Sequence, residues 1–241
     1  RMHPEISSFS NEIFYEKKLK PIPLKHQLEI LHCPSYDKSD GLQNLIASHR
    51  LAFIVSKGDK NPISDKTNKD EAIRISALLK TIYTINKNNF NPQTVGVIVP
   101  YRNQIALIRK EIKQLNIPAL SDITIDTVER YQGSERDFII YGFTVQKIYQ
   151  LEFLTGNVFK DNGQTIDRKL NVVLTRARKQ LFLIGNPQIL SYNIIFQKLI
   201  KFIDNRQGVC DIPTEYFIQG KFSCSPADKT SVPDSRQKLN V

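Results

Sequence analysis

Residues 95–115 read VGVIVPYRNQIALIRKEIKQL, and this stretch decides the fold class. Its first part, 95–99, is an uninterrupted apolar run of strand length. The apolar residues that follow recur at steps of three or four: Ile105, Ile108, Ile112 and Leu115. The first pattern is typical of a buried strand, and the second is typical of an amphipathic helix, with Pro118 just beyond its end. A strand followed directly by a helix is the repeating unit of a parallel sheet.

The same alternation extends on both sides of this stretch. Apolar runs predict further strands at 51–55, 123–126, 138–145 and 181–184, and periodic stretches predict helices at 70–85, 167–177 and 188–203. We therefore predict a three-layer α/β fold with a mainly parallel sheet. Its parts would be an irregular leading segment with loops at 1–68, a regular core at 69–204, and a partly flexible C-terminal extension at 205–241.

Composition and charge narrow the classes of protein. The chain has 241 residues and a net charge of +10, which favours a polyanionic partner such as nucleic acid. The longest apolar run is strand-sized, so we predict no membrane span and no membrane partner. Cys33, Cys210 and Cys224 are odd in number and lack C-x-x-C spacing, which favours a reducing, cytoplasmic location and argues against a metal site.

The carboxyl ends of parallel strands are where such folds bind ligands, so the residues after each strand are candidates for a site. Tyr101 and Arg102 follow the strand at 95–99. A guanidinium is always charged and can bind two phosphate oxygens at once, and a tyrosine ring can stack on a base. A surface arginine beside a half-buried tyrosine is the alternative interpretation.

A long polar loop follows the strand at 123–126. Within it, Gln132 and Glu135 offer acceptors for ribose hydroxyls, and Thr127 can donate to a phosphate. The alternative is a charged connection, although its length exceeds that of the usual link between two buried strands.

The segment 167–179 carries five basic residues just before the strand at 181–184. A solvated basic helix is the ordinary meaning of such a run. Apolar residues at 172–174 bury the middle of the segment, however, and fix the direction of Arg176. We predict that Arg102, Arg176 and the polar loop meet at one edge of the sheet. There they would stabilise charge on a nucleotide phosphate without supplying a nucleophile.

Four segments in order resemble consecutive motifs of superfamily 1 helicases, in the branch that holds senataxin and the nonsense-mediated-decay helicase. They are RMHPEI at 1–6 with Phe14-Tyr15, VPYRNQ at 99–104, IDTVERYQGSERD at 125–137 and LNVVLTRAR at 170–178. Four motifs in this order are far more specific than any one of them. The resemblance covers residues 1 to about 204 and implies the second, C-terminal RecA-like domain, which has a P-loop NTPase-type fold.

The resemblance implies an ATP site built from five of these residues. Tyr101 would stack on adenine, Arg102 would contact the γ-phosphate, and Arg176 would be the second arginine finger. Glu135 would bind the ribose or the neighbouring phosphate region, with Gln132 beside it. Arg102 and Arg176 would thus be the catalytic residues, because they spread the charge that develops as the γ-phosphoryl group leaves.

The resemblance also implies a nucleic-acid contact. Thr127, Val128 and Arg130 would face the backbone of a single strand. Single-stranded nucleic acid is therefore an expected partner.

Two motifs of the family are absent from this sequence. There is no Walker A loop, G-x-x-x-x-G-K-[ST], since Phe222 follows Gly220-Lys221, and Asp70-Glu71 follow polar residues rather than the apolar strand of a Walker B motif. The resemblance therefore implies a first RecA-like domain upstream in the same polypeptide. That domain would supply the phosphate loop and the Mg²⁺ ligands, so that ATP and Mg²⁺ bind only to the full-length protein.

Two functions remain open at this point. The first is the C-terminal motor domain of an ATP-dependent superfamily 1 nucleic-acid helicase. Such a domain is part of an enzyme, supplies arginine fingers and part of the single-strand grip, and is inactive as an ATPase alone. The alternative is a non-enzymatic basic nucleic-acid-binding module on a RecA-like scaffold. A small-molecule enzyme would not explain the two arginines near strand ends.

Overall fold

The computed structural model describes residues 2–18, 20, 23–31, 36–59, 62–131, 133–156, 158–161 and 164–219. The strands are β1 (Leu51–Val55), β2 (Val95–Val99), β3 (Thr124–Thr127), β4 (Arg136–Gly142), β5 (Val158–Asp161), β6 (Gln164–Asp167), β7 (Ala177–Gly185) and β8 (Val209–Cys210). The helices are α1 (Pro4–Ile13), α2 (Lys25–Leu28), α3 (Gly41–Ser48), α4 (Lys69–Ile85), α5 (Arg102–Gln114), α6 (Leu151–Thr155), α7 (Arg168–Leu174), α8 (Pro187–Leu190), α9 (Ile194–Asp204) and α10 (Thr214–Gln219). In the part of the chain that these ranges cover, no helix has the length and apolar character needed to cross a membrane.

One sheet of six strands organises the molecule. Its strand order is β3-β2-β4-β7-β1-β8, and all its neighbouring strands are parallel. Strands β5 and β6 form a separate antiparallel pair. Helix α4 makes the crossover from β1 to β2, which are separated by β4 and β7, and helix α5 makes the crossover between the parallel neighbours β2 and β3. The predicted mainly parallel α/β sheet is confirmed.

Apolar side chains cover both faces of this sheet. On one face α1, α7 and α9 pack through residues such as Phe9, Val173 and Phe196. On the other face α3, α4 and α5 pack through residues such as Leu42 and Leu78. Helices on both faces give the three layers that the alternating pattern predicts.

The leading segment is more regular than the sequence suggests. Residues 1–68, expected to be irregular apart from the strand at 51–55, contain the helices α1, α2 and α3 as well as β1. Helix α1 has Pro4 at its first position, and the side chain of His3 accepts a hydrogen bond from the backbone N–H of Glu5 at 3.2 Å. Proline and a capping side chain are ordinary helix-start signals. The expectation is corrected because these local signals, and the burial of Ile6 and Phe9, outweigh the polar composition.

The predicted helix at 188–203 is two helices. The backbone turns at Ser191 and Tyr192, and the side chain of Asn193 then accepts hydrogen bonds from the N–H groups of Ile195 and Phe196. Asparagine is a strong N-cap, so α9 starts anew after it. The apolar period alone does not reveal this break.

The C-terminal extension begins as part of the fold. Strand β8 adds to the edge of β1, and α10 packs on α4. The anchor for α10 is the buried guanidinium of Arg74, which donates to the carbonyl of Ile212 at 2.8 Å and to the hydroxyl of Thr214 at 3.0 Å. The rest of the predicted flexible extension, residues 220–241, lies outside the described residues.

Candidate functional site

The strand register decides where the two predicted arginine fingers lie. Arg176 immediately precedes Ala177, the first residue of β7. Arg102 lies beyond Ile98 of β2, which is level with Leu183 near the far end of β7. An extended chain rises about 3.3 Å per residue, so Arg102 and Arg176 are roughly 20 Å apart along the strands. They occupy opposite edges of the sheet, and the prediction that they converge is wrong.

Arg176 and Glu135 are neighbours at the amino edge of the sheet. The Nε of Arg176 donates to the carbonyl of Val172 at 3.1 Å, and one terminal nitrogen donates to the carbonyl of Ser134 at 3.5 Å. The backbone N–H of Arg136 donates to the carbonyl of Arg176 at 3.1 Å. Because Glu135 lies between Ser134 and Arg136, these contacts bring together two of the residues predicted for ATP.

Helix α7 delivers Arg176 to this edge. Asp167 caps the helix by accepting a hydrogen bond from the N–H of Leu170 at 3.0 Å, and burial raises the pKa of the Asp167 carboxyl. The helix buries Val173 in the core and ends at Leu174, so that β7 can start immediately after Arg176. The helix thus runs back along the sheet to the amino ends of the strands.

The basic run at 167–179 is not one solvated helix, because its second half leaves the helix. Arg178 forms an ion pair with Asp137 at 2.7 Å, and Lys179 contacts the same carboxylate at 3.3 Å. These ion pairs join the first residues of β7 to β4 beside a register shift between Arg136 and Phe138.

The loop after β3 crosses the sheet from one edge to the other. Strands β3 and β4 are both parallel to β2, so the loop must lead from a carboxyl end back to an amino end. Tyr131, in the middle of this loop, packs against the face of the sheet at Gly96 of β2. A Cβ placed on Gly96 would be 1.7 Å from the hydroxyl oxygen of Tyr131. The motif at 125–137 is therefore divided between the two edges of the sheet. Arg130 lies at the carboxyl edge, and Glu135 lies at the amino edge.

Tyr101 is enclosed at the carboxyl edge. It is only 9% exposed, and its ring stacks on Phe153 with the centroids 5.0 Å apart and the planes at 22°. Burial raises the pKa of its hydroxyl. The Tyr101 ring is therefore covered, and it lies at the edge opposite Arg176. It cannot stack on the adenine of a nucleotide whose phosphates contact Arg176. The implied role of Tyr101 in adenine stacking is therefore unsupported by this arrangement.

The residues predicted to face nucleic acid lie at the carboxyl edge with Arg102. Thr127 ends β3 and is buried, and Val128 is part of the apolar core. Arg102 and Arg130 are exposed. The side chains available at this edge are therefore the two arginines, while Val128 can contribute only through its backbone. Gln132 lies outside the described residues.

A short segment that the sequence patterns did not indicate lies at the same edge. Phe153 of α6 stacks on Tyr101, and the ammonium of Lys169 lies 4.2 Å from the Phe153 ring centroid and 3.2 Å from a carboxylate oxygen of Glu129. Tyr149 precedes α6 and is exposed. Aromatic residues beside lysines are typical of single-strand binding, and residues 147–153 carry that signal.

Comparison with known proteins gives the family. Residues 1–188 match a family model described as an AAA domain, AAA_12. An uncharacterized ATP-dependent helicase of Methanocaldococcus jannaschii is 28% identical over 208 residues, which cover 84% of this chain and 28% of that protein. The human DNA replication ATP-dependent helicase/nuclease DNA2 is 24% identical, with 89% of this chain and 20% of that protein covered.

A third relative is named for a different role. The regulator of nonsense transcripts 1 homolog of Drosophila melanogaster is 25% identical, with 86% of this chain and 16% of that protein covered. The chain thus spans less than a third of the length of these relatives. A family match over most of the chain, on a parallel sheet with helices on both faces, identifies the domain. The chain belongs to the AAA_12 family of AAA domains and is a C-terminal RecA-like domain of the superfamily 1 helicase type.

Proposed function

We propose that this chain is the C-terminal motor domain of an ATP-dependent nucleic-acid helicase. In this proposal ATP binds at the amino edge of the sheet, and the nucleic acid binds at the carboxyl edge. The observation that carries the proposal is the juxtaposition of Arg176 and Glu135 at the amino edge, held by hydrogen bonds to Ser134 and Arg136. It is supported by family membership and by relatives that are named ATP-dependent helicases.

Arg176 has the charge and the position that binding of a phosphate group requires. Arg176 carries a permanent positive charge on a guanidinium that follows a rigid helix end, and such a group stabilises negative charge on a transferring phosphoryl group. When bound, ATP would supply the phosphoryl group, and Arg176 would orient that group and stabilise its negative charge. Glu135 would accept hydrogen bonds from the ribose. Among the residues covered by the structure, no group of three or more His, Cys, Asp or Glu could hold a metal ion. The family resemblance implies that Mg²⁺ ligation belongs to a first RecA-like domain of the same polypeptide, and we keep that assignment in this proposal.

In this proposal Arg102 binds nucleic acid rather than ATP. It is exposed at the carboxyl edge with Arg130, where a guanidinium can bind backbone phosphates of a single strand. The family resemblance implies that Arg102 contacts the γ-phosphate. Arg102 and Arg176 lie at opposite edges of the sheet, however, so they cannot both contact one phosphate. The cysteines, which lack paired spacing, support an intracellular setting for such a motor.

The test of the nucleotide side is Arg176→Ala in the full-length protein. We expect ATP turnover to fall about 10³-fold or more while ATP binding remains, because an arginine finger acts mainly on the transition state. Steady-state hydrolysis and nucleotide binding should be measured side by side. The matched control is Arg206→Ala, at an exposed arginine just after α9. Wild-type turnover in Arg176→Ala would refute the role of Arg176.

A non-enzymatic nucleic-acid-binding module is the second candidate. The net charge of +10 and the lack of a Walker A loop in this sequence favour it. ATP turnover by the full-length protein that depends on Arg176 would decide for the motor domain.

A further inference from the structure

We propose that Tyr149 is a base-stacking residue in the path of a single strand along the carboxyl edge of the sheet. The inference rests on the proposed function, since it names a residue through which this domain would grip unpaired nucleic acid.

The ring of Tyr149 is exposed but held in place. Its side chain is 57% exposed, and its hydroxyl donates a hydrogen bond to the carboxylate of Asp65. Lys147 forms an ion pair with the other carboxylate oxygen at 3.1 Å, and the side chain of Gln150 donates to the backbone carbonyl of Asp65. The hydrogen bond from Tyr149 raises the pKa of its hydroxyl, so the phenol remains protonated. A ring fixed before binding loses little conformational freedom when a base stacks on it.

Tyr149 is better placed for stacking than the nearby aromatic residues. Tyr101 is buried against Phe153. The Phe153 ring contacts Tyr101 and has the Lys169 ammonium 4.2 Å from its centroid. Phe153 is itself 45% exposed, but its ring is already stacked on Tyr101, whereas Tyr149 is 57% exposed and has no ring packed on it among the described residues.

The surroundings of Tyr149 suit a polyanion. The segments at this edge carry the exposed basic residues Lys57, Lys66, Lys69, Arg102, Arg130 and Lys147. Among the acidic residues of the same edge, Asp65 pairs with Tyr149 and Lys147, Asp59 accepts from the backbone N–H of Lys69 at 2.8 Å, and Glu129 pairs with Lys169 at 3.2 Å, while Glu152 is exposed. Exposed cations around an open aromatic ring are the combination that binds single strands, because phosphates pair with the cations and any base can stack.

An unpaired base is the ligand that this arrangement fits. Bases in a duplex are already stacked on each other, whereas bases of a single strand present free faces. Stacking is sequence-tolerant, so oligothymidylate and oligouridylate of equal length are suitable probes. Comparing the two separates a DNA strand from an RNA strand as the source of the base.

The first experiment uses the absence of tryptophan from the sequence. Tyr149→Trp in the 241-residue chain creates a single tryptophan, whose fluorescence should be quenched when oligothymidylate or oligouridylate binds at low salt. The control is Tyr192→Trp, since Tyr192 is 71% exposed between α8 and α9. We expect quenching at position 149 and none at 192. Binding without quenching at position 149 would overturn the inference and leave the proposed function standing.

The second experiment separates stacking from anchoring. Tyr149→Ala should weaken oligonucleotide binding about tenfold, in line with the loss of one base stack. Tyr149→Phe keeps the ring and removes only the hydrogen bond to Asp65, so it should bind within about twofold of the unaltered chain. Equal weakening by both substitutions would show that the Asp65 contact, rather than stacking, matters, and would refute the inference. If the unaltered chain binds neither probe at low salt, the single-strand grip of the proposed function fails with it.

Discussion

At the scale of single residues, Glu71 joins the ends of two strands through a buried carboxyl group. One oxygen accepts a hydrogen bond from the N–H of Thr144, just after β4, at 2.8 Å, and the other accepts one from the hydroxyl of Ser56, just after β1, at 3.3 Å. Burial raises the pKa of Glu71 to about 8, although these hydrogen bonds oppose the shift. The folded protein therefore keeps Glu71 protonated at pH values where the unfolded chain has lost the proton.

This pKa predicts a pH dependence of stability. The folded pKa of about 8 lies above the unfolded value of 4.5, so the folded state binds more protons between these values. The contribution of Glu71 is present below the unfolded pKa and is lost as the pH rises through about 8. The free energy of unfolding in urea should therefore fall from about pH 5 to pH 8, by at most about 1.4 kcal/mol per pH unit from this group.

The control for this prediction is Glu71→Gln, which cannot ionise. Its free energy of unfolding should change less across the same pH range, so the difference between the two profiles should change steadily as the pH rises from about 5 to about 8, with the unaltered protein losing stability relative to the variant. Profiles that stay parallel would mean that Glu71 does not titrate with a raised pKa.

At the scale of elements, the loop after β3 depends on a close fit between Gly96 and Tyr131. The ring of Tyr131 is fully buried, its pKa is raised to about 12 by burial, and its hydroxyl occupies the space where a Cβ of residue 96 would be. The fit lets the loop cross the face of the sheet, and the crossing carries Glu135 to the edge where Arg176 lies.

Gly96→Ala should therefore destabilise the fold by about 1–3 kcal/mol through overpacking. Combining it with Tyr131→Phe removes the oxygen nearest the new methyl group, so the double variant should lose less stability than the sum of the two single variants. Denaturant unfolding of all four proteins gives this coupling energy. Strict additivity would show that Tyr131 does not set the tolerance at Gly96.

At the scale of the whole molecule, the parallel sheet separates two pairs of charged residues. Arg176 and Glu135 lie at its amino edge, and Arg102 and Arg130 lie at its carboxyl edge. Under the proposed function, a change at the nucleotide-binding edge would be transmitted through the sheet to the edge that binds nucleic acid. Helices on both faces make the sheet a stiff connection between them.

The isolated 241-residue chain should hydrolyse no ATP but bind single-stranded oligonucleotides weakly. Its binding constant should fall with salt between about 50 mM and 200 mM, with a logarithmic slope near −0.7 per phosphate contact. Arg102→Ala and Arg130→Ala should each make that slope shallower by about 1 or less, whereas Arg206→Ala, just after α9, should not change it. Measurable ATP turnover by this chain, or an affinity that does not depend on salt, would contradict the prediction.

Several features of the fold follow from local sequence. The strand at 95–99 and the helix after it are found as predicted, because apolar period and helix-stop signals are properties of neighbouring residues. The parallel α/β class follows from their alternation. The break at Asn193 and helix α1 required capping contacts that an apolar period does not report.

By itself, the sequence determined several strands and helices of the core, the fold class and the four helicase-like segments, since each of these depends on residues close together along the chain. Only the tertiary structure decided which of those segments meet. Strand direction and register place Arg102 and Arg176 at opposite edges, and the crossing loop brings Glu135 to Arg176. The physical reason is that strand order and register depend on packing and hydrogen bonding between strands that are distant in sequence.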